Sequence, residues 1–103
     1  MDRRPFEEIA RPFCMVDAVQ HYTSGEHTRA HELYQVAVKV DLKMAEARER
    51  ERQSLADKAR EPYRTAREDQ SYWYDEGRDA VTELRALANN AAARAAGHPR
   101  AAR

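Results

Sequence analysis

Cysteine is nearly absent from this 103-residue sequence: Cys14 stands alone, so no intrachain disulfide can form, and a reducing, cytoplasmic setting is expected. No run of 18 apolar residues occurs, so nothing predicts a helix that crosses a bilayer. Glu7 and Glu8 fall where an export signal would carry its apolar stretch, so secretion by that route is not expected. Net charge is also lacking, with 18 basic against 18 acidic residues, which argues against attraction of the whole surface to nucleic acid or to an anionic membrane. Glycine and proline are scarce, at three and four residues, and no segment alternates apolar and polar residues between turn signals as a strand would. What remains is rich in Ala, Glu, Arg and Leu, which are strong helix formers. The expected fold is all-α, and the length allows one helical domain over residues 1–96, followed by a frayed basic tail over 97–103.

Periodicity divides the chain. Arg4-Pro5-Phe6 is echoed seven residues later by Arg11-Pro12-Phe13, and proline suits the first turn of a helix, where its missing N–H costs nothing. The first firm helix is therefore expected from Pro12 to Tyr22, with Phe6, Ile9, Phe13 and Val16 forming one apolar stripe. Thr23 followed three residues later by Glu26 has the spacing of a capping box and predicts a long helix over 24–61. Ala30, Leu33, Ala37, Val40, Met44 and Ala47 alternate in threes and fours as a packed seam does. The seam weakens at Glu51 and Ser54.

Pro62 is expected to crease the chain, because the residue before a proline resists the helical region. A second seam then runs through Tyr63, Ala66, Gln70, Trp73, Gly77, Ala80, Leu84, Leu87 and Ala91, with Gly77 as its weak point and a break there as the competing reading. Folding the two arms back at Pro62 pairs Leu55 with Gln70 and Val40 with Leu84. The result is a short N-terminal helix on a long antiparallel hairpin. So thin a hairpin buries little surface per residue, and dimerisation into a bundle is the economical way to complete its core.

Ala18, Tyr22, Gly25, Ala30, Tyr34, Ala37 and Asp41 have spacings that resemble the helical hairpin of the tetratricopeptide repeat, and also the first two helices of microtubule-interacting and trafficking domains. The resemblance implies that Gly25 makes the turn, that Ala30 and Ala37 let two helices approach, and that Tyr22 and Tyr34 fill the groove between them. It departs from the pattern at Cys14, Asp17, His27 and Leu42, and no second copy follows at the repeat interval. Its functional implication is a peptide- or helix-binding scaffold without catalysis.

Chemistry has few candidates. There is no glycine-rich phosphate loop and no nucleophile elbow, and Cys14 has no base partner in the sequence, so no catalytic residues are assigned and no enzyme is expected. No cofactor is implied. His27 and His31 lie four apart on one helical face, a spacing that can share a metal ion, but no HExxH, ExxH or CxxC pattern supplies further ligands. The most informative patch is Tyr72-Trp73-Tyr74, flanked by Asp69, Asp75 and Glu76. Consecutive helical residues point about 100° apart, so a two-helix arm cannot bury all three rings. The Pro62 crease sets Arg48, Arg50, Glu51 and Arg52 opposite them. Tyr, Trp and Arg are the residues most enriched at binding hot spots. Tyr72, Trp73 and Tyr74, with Arg48 and Arg52 as charged complements, are thus the expected contact residues for a protein partner or a second copy. The leading function is a non-enzymatic interaction or adaptor module. A second reading is a nucleic-acid-associated protein using the basic 43–67 segment and the arginine-bearing tail; a third is a metal-binding bundle built on His27 and His31.

Overall fold

Thr23 begins the main architecture. Its hydroxyl accepts from the Glu26 N–H at 3.2 Å, while the Glu26 carboxylate accepts from the Thr23 N–H at 2.9 Å, so both arms of the capping box are made. The computed structural model describes residues 5–14 and 21–97. Within them lie a short helix α1 (Phe6–Ala10), a 3₁₀ turn (Arg11–Cys14), and two long helices, α2 (Ser24–Asp57) and α3 (Arg60–Ala95). No strand occurs among the described residues. The two long helices, 34 and 36 residues, pack against each other as a hairpin, with α1 docked on both.

The reversal falls at Lys58–Ala59, ahead of Pro62. Lys58 takes the left-handed conformation (φ 55°, ψ 39°); its N–H bonds the Leu55 carbonyl at 3.2 Å, and the Ala59 N–H bonds that of Ser54 at 2.9 Å. This is a Schellman motif with lysine in the place usually held by glycine. Pro62 then lies in the first turn of α3, where it has no intrahelical bond to lose. The helix expected over 24–61 therefore stops at Asp57, and the facing pairs shift. Gln70 donates to Glu51 at 2.6 Å, where a crease at Pro62 had paired it with Leu55, and Leu55 is 60% exposed.

Between the arms the core is narrow. Ala30, Leu33, Ala37, Val40 and Ala47 of α2 face Ala66, Ala80, Val81, Leu84 and Ala91 of α3, and of these only Leu84 and Val40 are both large and fully enclosed. Near the reversal a buried Ser54 keeps its hydroxyl satisfied on the Arg50 carbonyl at 2.7 Å. Small residues along both seams allow close approach but enclose little volume. The molecule is a rod of 59 × 26 × 25 Å with a radius of gyration of 17.5 Å, against about 13 Å for a compact domain of this length.

Two expectations at the N-terminus change. The first helix starts at Phe6 rather than Pro12, with Pro5 as its N-cap; Pro12 sits in the 3₁₀ turn, and Tyr22 lies outside any helix. Residues 15–20 of the expected Pro12–Tyr22 helix, Val16 and Asp17 included, lie outside the described residues, as does most of the expected 97–103 tail. The reason for the early start is tertiary. Asp41, in the middle of α2, accepts from the Phe6 N–H and the Glu7 N–H, one on each carboxylate oxygen, both at 2.8 Å. An acidic side chain from another helix thus supplies the cap that Pro5 lacks. Gly25, expected to make a turn, sits inside the first turn of α2, exposed, with open space where a Cβ would stand.

Candidate functional site

Consecutive positions on α3 point in different directions, and the structure separates the three aromatic residues accordingly. Trp73, on the α3 seam, is half-buried, with the Lys39 ammonium of α2 5.5 Å from its ring centre. Tyr72 stands edge-on to Trp73 at 4.9 Å and is 56% exposed. Tyr74 turns to the other flank, where Phe6 of α1 meets it edge-on at 5.6 Å, yet it too is 50% exposed. The patch is therefore two surfaces. One carries Tyr72, Trp73 and Lys39; the other carries Tyr74 and the docked N-terminal helix.

The arginines expected to face the triplet are distributed differently. Arg48 lines an open groove beside α1 together with Tyr74. Arg50 bonds Asp69 at 2.9 Å across the hairpin. Arg52 pairs with Glu49 on its own helix. Lys39, which sequence reasoning did not single out, is the cation at Trp73, because the reversal at Lys58 moves an earlier part of α2 opposite that ring.

The flank carrying Trp73 is laced with ion pairs. Arg29 grips both oxygens of Glu83, at 2.6 and 2.8 Å, and also meets Glu32 at 3.1 Å. This hydrogen bonding holds the Glu83 carboxyl below the usual carboxylate range. At the open end Arg94 bonds the capping carboxylate of Glu26 and, at 3.1 Å, the His21 carbonyl, which ties α3 to the entry of α2. Glu26 is lowered by that arginine first, with burial opposing. On the opposite flank Tyr34 donates to Glu7 at 2.6 Å and Arg11 donates to the same oxygen; together they lower Glu7 and fasten α1 to α2.

His27 and His31 are exposed and share the wall of a small 120 Å³ pocket with Cys14. The Cys14 thiol donates to the Ala30 carbonyl at 3.5 Å, and burial pushes it above the ordinary thiol range, away from the thiolate that binds metals. The Tyr22 ring meets His27 edge-on at 5.7 Å. Among the described residues no three His, Cys, Asp or Glu side chains cluster closely enough to hold an ion. Among the described residues no helix is long and apolar enough to cross a membrane.

Most of the basic 43–67 segment is paired with carboxylates. Lys43 meets Glu46, Arg64 meets Glu61 and Glu68, and Arg67 meets Glu51. The reversal also divides this segment between two helices, so it does not form one continuous basic face.

Compared with known proteins, the chain matches no family model, no curated protein and no solved structure.

Proposed function

We propose that this chain is a non-enzymatic helical interaction module, working in the cytoplasm, that associates with a second copy or another protein through its helix faces. The observation that carries the reading is the Tyr72–Trp73 surface. Two aromatic side chains stand on a rod too thin to enclose them, with a cation, Lys39, over the indole. Aromatic rings of this kind, once desolvated by a partner, dominate interface energies, and a cation over tryptophan adds about 0.5–2 kcal/mol. The narrow core supports the same reading: a second hairpin laid along this flank would cover apolar area that one copy leaves in water.

Light scattering over a range of concentrations, on the native chain and on Trp73→Ala, tests the proposal. The expected result is a mass that rises with concentration and falls back to the monomer in the variant. A monomer at every concentration, with no partner retained by the native chain and lost by Trp73→Ala, removes the proposal.

A further inference from the structure

We propose that the groove beside α1, on the flank away from Trp73, is a docking site for an acidic amphipathic helix of another protein. This rests on the reading of the chain as an interaction module but uses a different surface. The groove, about 1470 Å³, lies between α2 and α3 and runs from the start of α1 toward the reversal. Its apolar lining comes from the half-buried Phe6, Ile9 and Met44, with the core residue Val81 beneath them. Arg48 of α2 and Arg67, Arg78 and Arg85 of α3 surround that lining.

Charge identifies the occupant. Asp41 is the one acid in the lining, and both its oxygens are taken by the N-terminus of α1. Arg67 meets Glu51 at 3.3 Å, and Arg78 lies 3.4 Å from Asp75 and 3.9 Å from Asp79; these arginines stand in solvent, where such pairs are weak and a partner's carboxylates can compete for them. Arg48 and Arg85 make no ion pair among the described residues. On α3, Arg67, Tyr74, Arg78 and Arg85 recur at steps of seven, four and seven, which sets them in one stripe roughly 27 Å long at the helical rise. A helix lying in the groove beside α1 would meet apolar residues below and arginines beside it. Carboxylates on its flanks would answer those arginines.

A second copy fits this flank poorly. A two-fold contact sets a patch against itself and would oppose arginine to arginine, and the acids Asp69 and Glu83 of the other flank are already engaged by Arg50 and Arg29. Nucleic acid would use the arginines but gain nothing from the apolar floor.

Fluorescence anisotropy on the full chain tests the inference with two labelled peptides of about 18 residues, long enough to cover the stripe at the helical rise. Both carry leucines at helical spacing; one has glutamates elsewhere, the other lysines, and a short DNA duplex is the third probe. The glutamate peptide is expected to bind, more weakly at high salt. Its affinity should fall by about tenfold or more in Arg48→Glu/Arg78→Glu, as for interfacial charges that lose their partners, and less in the matching glutamine variant. Circular dichroism confirms that both variants remain helical. Trp73→Ala should leave peptide binding unchanged, so loss of self-association and loss of peptide binding are read separately. Equal binding of both peptides, no effect of the arginine changes, or DNA binding in place of peptide binding would each overturn the inference.

Discussion

The Phe6 ring packs against Gly77: a methyl group built on that glycine would sit 2.6 Å from Phe6 Cδ2. A real Cβ does not stand that close, so the Phe6 ring keeps this seat because α3 carries only hydrogen there, and any other residue would displace it. The glycine that weakens α3 as a helix is the seat of α1. In an unobstructed helix, Gly→Ala gains about 1 kcal/mol. Here Gly77→Ala is expected to lower the melting temperature, because Phe6 must move. In a Phe6→Ala background the same change should stabilise, by about that 1 kcal/mol. The reversal of sign, measured by urea unfolding of all four chains, is the diagnostic; additive effects would show that the ring is not seated there.

Asp41 caps a helix that begins 35 residues before it. Asp41→Ala should leave two N–H groups at the start of α1 without partners and cost about 1 kcal/mol, the usual value of an N-cap. Amide hydrogen exchange should locate the loss, with protection falling at Ile9 and Ala10 while the centres of α2 and α3 keep theirs. Equal loss of protection throughout would mean that Asp41 serves the whole fold rather than α1.

Lys58 adopts a backbone conformation that costs an ordinary residue about 1–2 kcal/mol and glycine almost nothing. Its N–H bond does not depend on its side chain, so Lys58→Gly keeps the reversal and removes the strain. The expected outcome is a higher urea midpoint with an unchanged slope. The gain should be smaller than the full strain, since glycine also loosens the unfolded chain.

Acid should loosen the contacts between the helices. Glu7, Glu26, Glu51 and Glu83 all hold their protons less tightly than an ordinary carboxyl because each accepts hydrogen bonds, from Tyr34, Arg94, Gln70 and Arg29 first in turn. A carboxyl lowered on folding stabilises the fold above its unfolded value, 4.5 here, and that contribution is lost as pH falls through the folded value. Melting temperature should therefore hold steady down to about pH 5 and decline below it. Replacing Arg94 with Gln should shrink the share of that decline due to Glu26. Burial raises Cys14 and Tyr22 instead, so their contribution is present at neutral pH and lost at alkaline pH, beginning above the thiol's ordinary 9.0.

Helical content was readable from residue types alone, and the two seams identified the inner faces of both arms, because three-and-four spacing depends only on the geometry of a helix. The capping box was equally local: Thr23 and Glu26 are three residues apart, and both arms form. The reversal was misplaced for a physical reason. A left-handed lysine leaves no mark in a sequence, while Pro62 leaves a strong one that a first turn absorbs. That displacement carried into the site, so Arg52 fell away from the rings and Lys39 came to Trp73. The docking of α1 was hidden because Asp41 and Gly77 act on Phe6 from far along the chain, and Gly77 reads there only as a weak point of its own helix. The earlier of the two Pro-Phe copies was the available signal for its start, and the later copy obscured it.

A hairpin closed at one end resembles tongs, and the grip of Arg94 on Glu26 and on the His21 carbonyl is set at the tips, 68 residues around from its partner acid. Pairs near the hinge, such as Glu51 with Gln70, close a short span of chain and can form early; each later pair then joins arms already brought side by side. Contacts at the tips thus add last during assembly and open first when the rod is pulled at its free ends. A load drawn along the arms would meet the whole interlocked seam at once, while a load prying them apart would face one pair at a time.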